Sequence, residues 1–208
     1  MKKHEMKISH GFSYSVAIQS ITLRHITIFV SSPANVNKKH TTVSVDCGQV
    51  RGLYAATSNA YSFRGIPYAS PPVDKLRWRS PVPVNSSNNN CWLGLFTATQ
   101  FGSHCFQMNA IYNATGTLGS EDCLNLNIWT PSLNSTAELP VMFWIHGGFL
   151  LPESGIDKHK VADYNLIVYI PNANKTFFQV SLFGQSSGGT AVNVLHASPL
   201  ARGLFHKA

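Results

Sequence analysis

The sequence predicts an α/β protein with a mostly parallel central sheet, preceded by a small antiparallel N-terminal meander. Three observations carry this reading. "PVMFWI" (140–145), "LIVYI" (166–170) and "VSLF" (180–183) are almost continuously apolar, the pattern of strands buried on both faces. Two of these runs feed glycine-rich turns, at 147–148 and 184–188, and a helix-compatible stretch, 187–197, follows the second. Upstream, "TTVSVDCGQVRGLYAATSNAYSFRGIPYA" breaks short β-prone runs with Gly and Asn, as strands joined by tight turns do.

Taken in order, residues 1–40 read as a tail or a degenerate signal region, and residues 41–208 as one partial domain. The start is basic, but the uncharged run "ISHGFSYSVAIQSITL" is too polar for a good leader core. "SPPVDKLRWRSPVPVNSSNNN" is Pro-rich and polar, an extended surface connection. "LNLNIW" (124–129) alternates and predicts a strand. Between Ile170 and Val180 lie nine residues, "PNANKTFFQ". If both neighbours are parallel strands of one sheet, the connection must cross over, which takes a dozen or more residues. A hairpin, a misassigned strand or a missing segment would each resolve the conflict, and the missing segment is the expectation favoured here.

Composition narrows the function classes. Apolar residues make up 44% and charged residues 12%, a globular balance. The net charge of +7 suggests nucleic acid until its distribution is considered. Lys2, Lys3, Lys7, Arg24, Lys38 and Lys39 lie in the first 40 residues against Glu5 alone, and the remainder carries ten basic and eight acidic residues. No basic stripe with interleaved aromatics exists there, so a nucleic-acid partner is not expected. No run of 18 apolar residues predicts a membrane span. Sequons occur at Asn85, Asn113, Asn134 and Asn174, hardly more than the roughly three that chance places in such a composition. Cys47, Cys91, Cys105 and Cys123 form no C-x-x-C pair, so neither a zinc site nor a redox motif is predicted, and three full pairings are open.

The chemistry concentrates in Gly184-Gln185-Ser186-Ser187-Gly188. Between a strand and a helix, G-x-S-x-G is the nucleophile-elbow pattern: a sharp turn exposes the serine, and small flanking residues let strand and helix approach. His146-Gly147-Gly148-Phe149 follows another buried strand, where a Gly pair can aim backbone N–H groups at a developing oxyanion.

With "SFRGIPYASPPV", "LRWRSPVPV", "SEDCLNLNIWTP", "LPVMFWIHGGF" and "VSLFGQSSGGTAVNVLHASPLARGLFHKA" in order over most of residues 43–208, the chain resembles the type-B carboxylesterase and cholinesterase family. The resemblance implies an incomplete α/β-hydrolase fold and a serine esterase acting on small-molecule carboxylic esters, without metal or other cofactor, often secreted and glycosylated. It implies Ser186 as nucleophile, Gly147, Gly148 and Ser187 as oxyanion donors, an Arg77–Glu121 salt bridge and a Cys105–Cys123 disulfide. Cys47 and Cys91 have no family counterpart, and buried free thiols carry about even weight for them. The chain also departs from the family. Phe149 replaces a third glycine, Asn125 stands where an aromatic residue or Thr is usual, and no Trp lies between Cys105 and Cys123, which argues against choline esters.

The triad order Ser, then acid, then His cannot be met, because the last acidic residue is Asp163. His196 and His206 follow Ser186, and His146 adjoins the oxyanion loop; all three are read as structural. The expectations are therefore a truncated copy with impaired activity, lacking the second half of the family fold and carrying an internal deletion. The alternative is a non-catalytic, cholinesterase-like adhesion or binding ectodomain. Oligomeric state and ester substrate are not legible.

Overall fold

The computed structural model describes residues 40–56, 58–85, 88–89, 91–92, 94–108, 117–134, 136–147, 166–169 and 179–208. The expected tail or leader lies outside these residues except for His40. The described strands are β1 (His40–Val45), β2 (Gly48–Ala55), β3 (Ala60–Pro67), β4 (Leu95–Thr97), β5 (Gln107–Met108), β6 (Thr117–Leu118), β7 (Asn125–Thr130), β8 (Val141–Ile145), β9 (Leu166–Tyr169) and β10 (Val180–Gly184), followed by helix α1 (Ser187–Ala197). The main sheet runs β1-β2-β3-β7-β9-β8-β10, with β4 on β2, while β5 and β6 form a separate ribbon.

The N-terminal meander is antiparallel. Val45 pairs with Gly48 across a tight turn, and Gly48 takes φ 116°, a conformation that favours glycine. The second edge of β2 is shared, with Leu53–Ala55 pairing β3 and Gln49–Arg51 pairing β4. Register then shifts between Phe63 and Ile66 as β3 pairs β7. At this bulge the Gly65 N–H donates to Asn127 Oδ1 at 2.9 Å, which places a polar side chain with no solvent exposure in the middle of β7.

The antiparallel meander is present as expected, and the central strands are mixed, so the mostly parallel central sheet is met only in part. Pairings β1–β2, β2–β3, β3–β7 and β8–β9 are antiparallel, whereas β2–β4, β7–β9 and β8–β10 are parallel. The reason lies in β9. It runs against β8, with Tyr169 opposite Met142, and Val180 of β10 sits opposite Val141. The last residue of β9 and the first of β10 thus lie at the same end of the sheet. Two strand spacings, roughly 10 Å, separate them. The intervening residues span that with room to spare at about 3.3 Å each. No crossover helix is required, and the length conflict seen in the sequence disappears.

The larger core lies between this sheet and α1. Leu126, Val141, Phe143, Ile145, Val168, Val180 and Leu182 present the sheet face, and Ala191, Val192 and Leu195 the helix face. Leu195 is 1% exposed. The meander keeps a second core of Val43, Val50, Phe63 and Ala98.

Cys47 and Cys91 are bridged, with Cα atoms 4.9 Å apart, which corrects the free-thiol reading. The bridge ties the β1–β2 turn to the segment leading into β4, where Trp92 Nε1–H also donates to Gln49 O. Even cysteine arithmetic was the available signal: pairing Cys105 with Cys123 leaves two.

A prediction follows from loop lengths. The two bridges span 44 and 18 residues. Chain entropy assigns them about 4 and about 3 kcal/mol respectively. Urea denaturation of the Cys47→Ala/Cys91→Ala and Cys105→Ala/Cys123→Ala variants should show the larger loss for the first pair.

Candidate active site

Parallel pairing of β8 and β10 brings the site together. Gly184 is level with Ile145, so His146-Gly147 and Gln185-Ser186 leave the sheet side by side. The Gln185 N–H donates to Ile145 O at 3.3 Å and holds the two exits in register.

At Ser186 the backbone takes φ 56° and ψ −125°. L-residues rarely adopt this conformation, and it costs of order 1–3 kcal/mol unless surrounding structure imposes it. Ser186 stands at the N-cap of α1, yet its hydroxyl makes no capping bond. Serine at that position ordinarily turns its oxygen back onto the helix. Here the side chain is exposed and does not cap the helix.

The glycines of the motif have distinct reasons. A Cβ on Gly188 would strike the carbonyl oxygens of Ile145 and His146, and a Cβ on Gly184 would strike the backbone of Gly188. Both absences let α1 start directly against the strand ends. Gly147 sits equally close: a Cβ there would lie 2.6 Å from Gln185 Oε1 and 3.0 Å from Ser186 Cβ. Gly147 backbone is therefore in contact range of the serine. Ser187 opens α1, where first-turn N–H groups have no intrahelical partner and the helix dipole favours negative charge. Gly148 and Phe149 lie outside the described residues.

The histidines separate cleanly. His146 is half-buried, and its Nδ1–H donates to Gly147 O at 2.6 Å. Burial pushes its pKa below the usual histidine range, which the bond to Gly147 partly offsets. The Nδ1 proton ties the ring to the backbone of Gly147. His206 Nδ1 accepts the Val180 N–H at 3.1 Å, at the far end of β10 from the elbow, about 13 Å away. His196, in the last turn of α1, meets the Phe205 ring at a tilt with centroids 6.4 Å apart, roughly 15 Å along the axis from Ser186. Neither reaches the serine. Among the described residues no group of three or more His, Cys, Asp or Glu could hold a metal ion.

A second constellation frames the domain's other loop. Arg77 grips Glu121 with two bonds, Nε to Oε1 at 2.5 Å and Nη2 to Oε2 at 2.6 Å. The hydrogen bond from Arg77 holds the Glu121 carboxyl below the usual range, and the carboxylate raises Arg77 in turn. Two residues further on, Cys123 bridges to Cys105 with Cα atoms 4.9 Å apart. Asn125 continues the tie by donating Nδ2–H to Ser103 O at 3.0 Å. This contact went unread in the sequence, although Asn125 already stood out as a family departure.

A sequence profile described as the carboxylesterase family matches residues 39–172. The chain is 33% identical to the juvenile hormone esterase of Tribolium castaneum over 81% of its length and 36% of that protein's. It is 29% identical to the para-nitrobenzyl esterase of Bacillus subtilis, covering 81% of this chain and 43% of that one. Among solved structures, a para-nitrobenzyl esterase superposes with a TM-score of 0.59 at 26% identity, covering 81% of this chain and 43% of that one. A Geobacillus stearothermophilus carboxylesterase superposes with a TM-score of 0.58 at 27% identity, over 80% and 42%. The chain thus spans well under half the length of these relatives.

Two predictions arise here. Ser186→Gly should be more stable than Ser186→Ala by about 1 kcal/mol in urea denaturation, because glycine relieves a positive φ that alanine retains. For Glu121, a lowered folded pKa means that its stabilisation is full above the ordinary Glu range, about 4.3, and is lost as pH falls through the folded value. The Tm difference between wild type and Glu121→Gln should therefore be constant from pH 8 to pH 6 and vanish in acid.

Proposed function

Because the chain belongs to the carboxylesterase family, we propose that it carries the nucleophile and oxyanion half of a serine ester hydrolase, with Ser186 as the attacking residue. The observation that carries this is the exposed Ser186 at φ 56°, uncapped and in contact range of Gly147. Residues 41–208 form the domain that presents it. A secretory location fits the two disulfides, since such bridges persist in oxidising compartments.

In the proposed reaction Ser186 Oγ attacks the carbonyl carbon of a small carboxylic ester. The carbonyl electron pair moves onto oxygen, and the N–H groups of Ser187 and of the Gly147-Gly148 loop receive that oxyanion. The carbonyl then reforms, the C–O bond to the alcohol breaks, and a serine ester remains, which water hydrolyses. The serine proton needs a base. No carboxylate side chain follows Ser186, and His146, His196 and His206 are each engaged elsewhere. With no base placed on Ser186 by these histidines among the described residues, ester turnover is slow, with residual help from oxyanion donors and binding. Loss of triad members removes on the order of 10⁴ to 10⁶ in rate.

The test is p-nitrophenyl acetate hydrolysis by the 208-residue chain and its Ser186→Ala variant, alongside labelling with a fluorophosphonate. We expect slow turnover near background and slow covalent labelling that Ser186→Ala abolishes. Labelling at another residue would remove Ser186 from the nucleophile role. Turnover at ordinary esterase rates would show that a base does reach it.

A further inference from the structure

We propose that Asn134, in the β7–β8 loop, is an N-glycan acceptor, and that Asn85 is not. This goes beyond the hydrolase reading and depends on secretory placement alone. Both residues head sequons, Asn134-Ser135-Thr136 and Asn85-Ser86-Ser87. Their settings differ in three respects.

The first is the carboxamide itself. Asn134 Oδ1 accepts two bonds, from Thr136 N–H at 3.0 Å and from Thr136 Oγ1 at 2.9 Å. This Asx turn fixes the amide by its oxygen. The sequon hydroxyl polarises the same amide that must react. At Asn85, Oδ1 instead accepts the Asn88 N–H at 2.8 Å and holds the loop it belongs to.

Accessibility is the second. Asn134 is exposed and Asn85 half-buried. The loop around Asn134 is also built from its own side chains. Asn134 N–H donates to Ser132 Oγ at 3.1 Å and Ser132 N–H to Thr130 Oγ1 at 3.3 Å, and the neighbouring Leu133 packs on the meander core, so Asn134 is held outward at the loop surface.

Position is the third. β7 runs against β8, because it is parallel to β9 and β9 is antiparallel to β8. The loop 131–140 therefore lies at the start of β8, and Ser186 lies beyond its end. One strand length, about 13 Å, separates the two poles. A bulky glycan on Asn134 leaves the elbow open. Asn85 follows Pro83, which bridges to Ala69 just past β3, and Pro67 of β3 pairs with Asn125 at the elbow end. A glycan there would lie at the same end of the sheet as the elbow.

The reaction joins Asn134 Nδ2 to the C1 atom of a lipid-linked diphosphate oligosaccharide. A C1–N bond forms, the C1–O bond to the diphosphate breaks with its electron pair leaving on oxygen, and Nδ2 loses one proton. No electron transfer is involved. The experiment is translation of the full 208-residue chain, behind a heterologous cleavable leader, with endoplasmic-reticulum microsomes. Protease-protected chains are then digested and their glycopeptides mapped. We expect glycan on the Asn134 peptide, its loss in Asn134→Gln and Thr136→Ala, retention in Thr136→Ser, and an unmodified Asn85 peptide. Mapping is on the wild-type chain, so a variant that folds poorly does not blur the answer, and no ester hydrolysis is read. A bare Asn134 peptide in protected chains, or glycan on Asn85, would overturn the proposal.

Discussion

The approach of Gly188 to the carbonyl oxygens of Ile145 and His146 is the constraint on which the strand-to-helix turn at Ser186 depends. Any side chain at 188 would push α1 away from the strand ends. With α1 seated there, the chain has only Gln185 and Ser186 in which to reverse from strand to helix. Ser186 must accept a positive φ. Its hydroxyl then faces outward, because the sharp turn denies it the usual capping geometry. Exposure of the serine, its contact with Gly147 and the placement of the Ser187 N–H all follow from one tight helix–strand contact.

That contact is held by ordinary apolar packing further along. Ala191, Val192 and Leu195 lie on the helix face that meets Val180, Leu182 and Phe143. Burial at about 25 cal/mol per Å² supplies the energy that offsets the strain at Ser186. The elbow needs only β8 and β10 in parallel, and it has them. The reversed β9 on the other side of β8 changes the sheet's overall character without touching this pair.

Covalent and ionic ties gather instead in the N-terminal half. Both disulfides and the Arg77–Glu121 pair fasten long irregular segments to the meander and to the start of β7. Those segments hold few buried apolar groups, so cross-links do there what the core does under α1. His146 links the two regimes on a small scale. Its half-buried ring donates to Gly147 O and so stiffens the loop beside the serine.

Much of this was legible in the sequence because it depends on local pattern. Apolar runs at 140–145 and 180–183 mark strands through hydrophobic burial, and G-x-S-x-G marks the turn because only small residues fit between strand and helix. The spacing from 187 to 197 marks the helix. Strand direction was not legible: "LIVYI" reads the same whichever way it runs, and its reversal is decided by which neighbours leave an open edge and how far the chain can reach. The Cys47–Cys91 bridge was equally hidden, since a pairing over 44 residues depends on β4 folding back onto β2. The strain at Ser186 belongs to neither level alone. The sequence determined that a serine stands at the turn, and tertiary packing of α1 on β8 decided that it must take a left-handed backbone with its hydroxyl free.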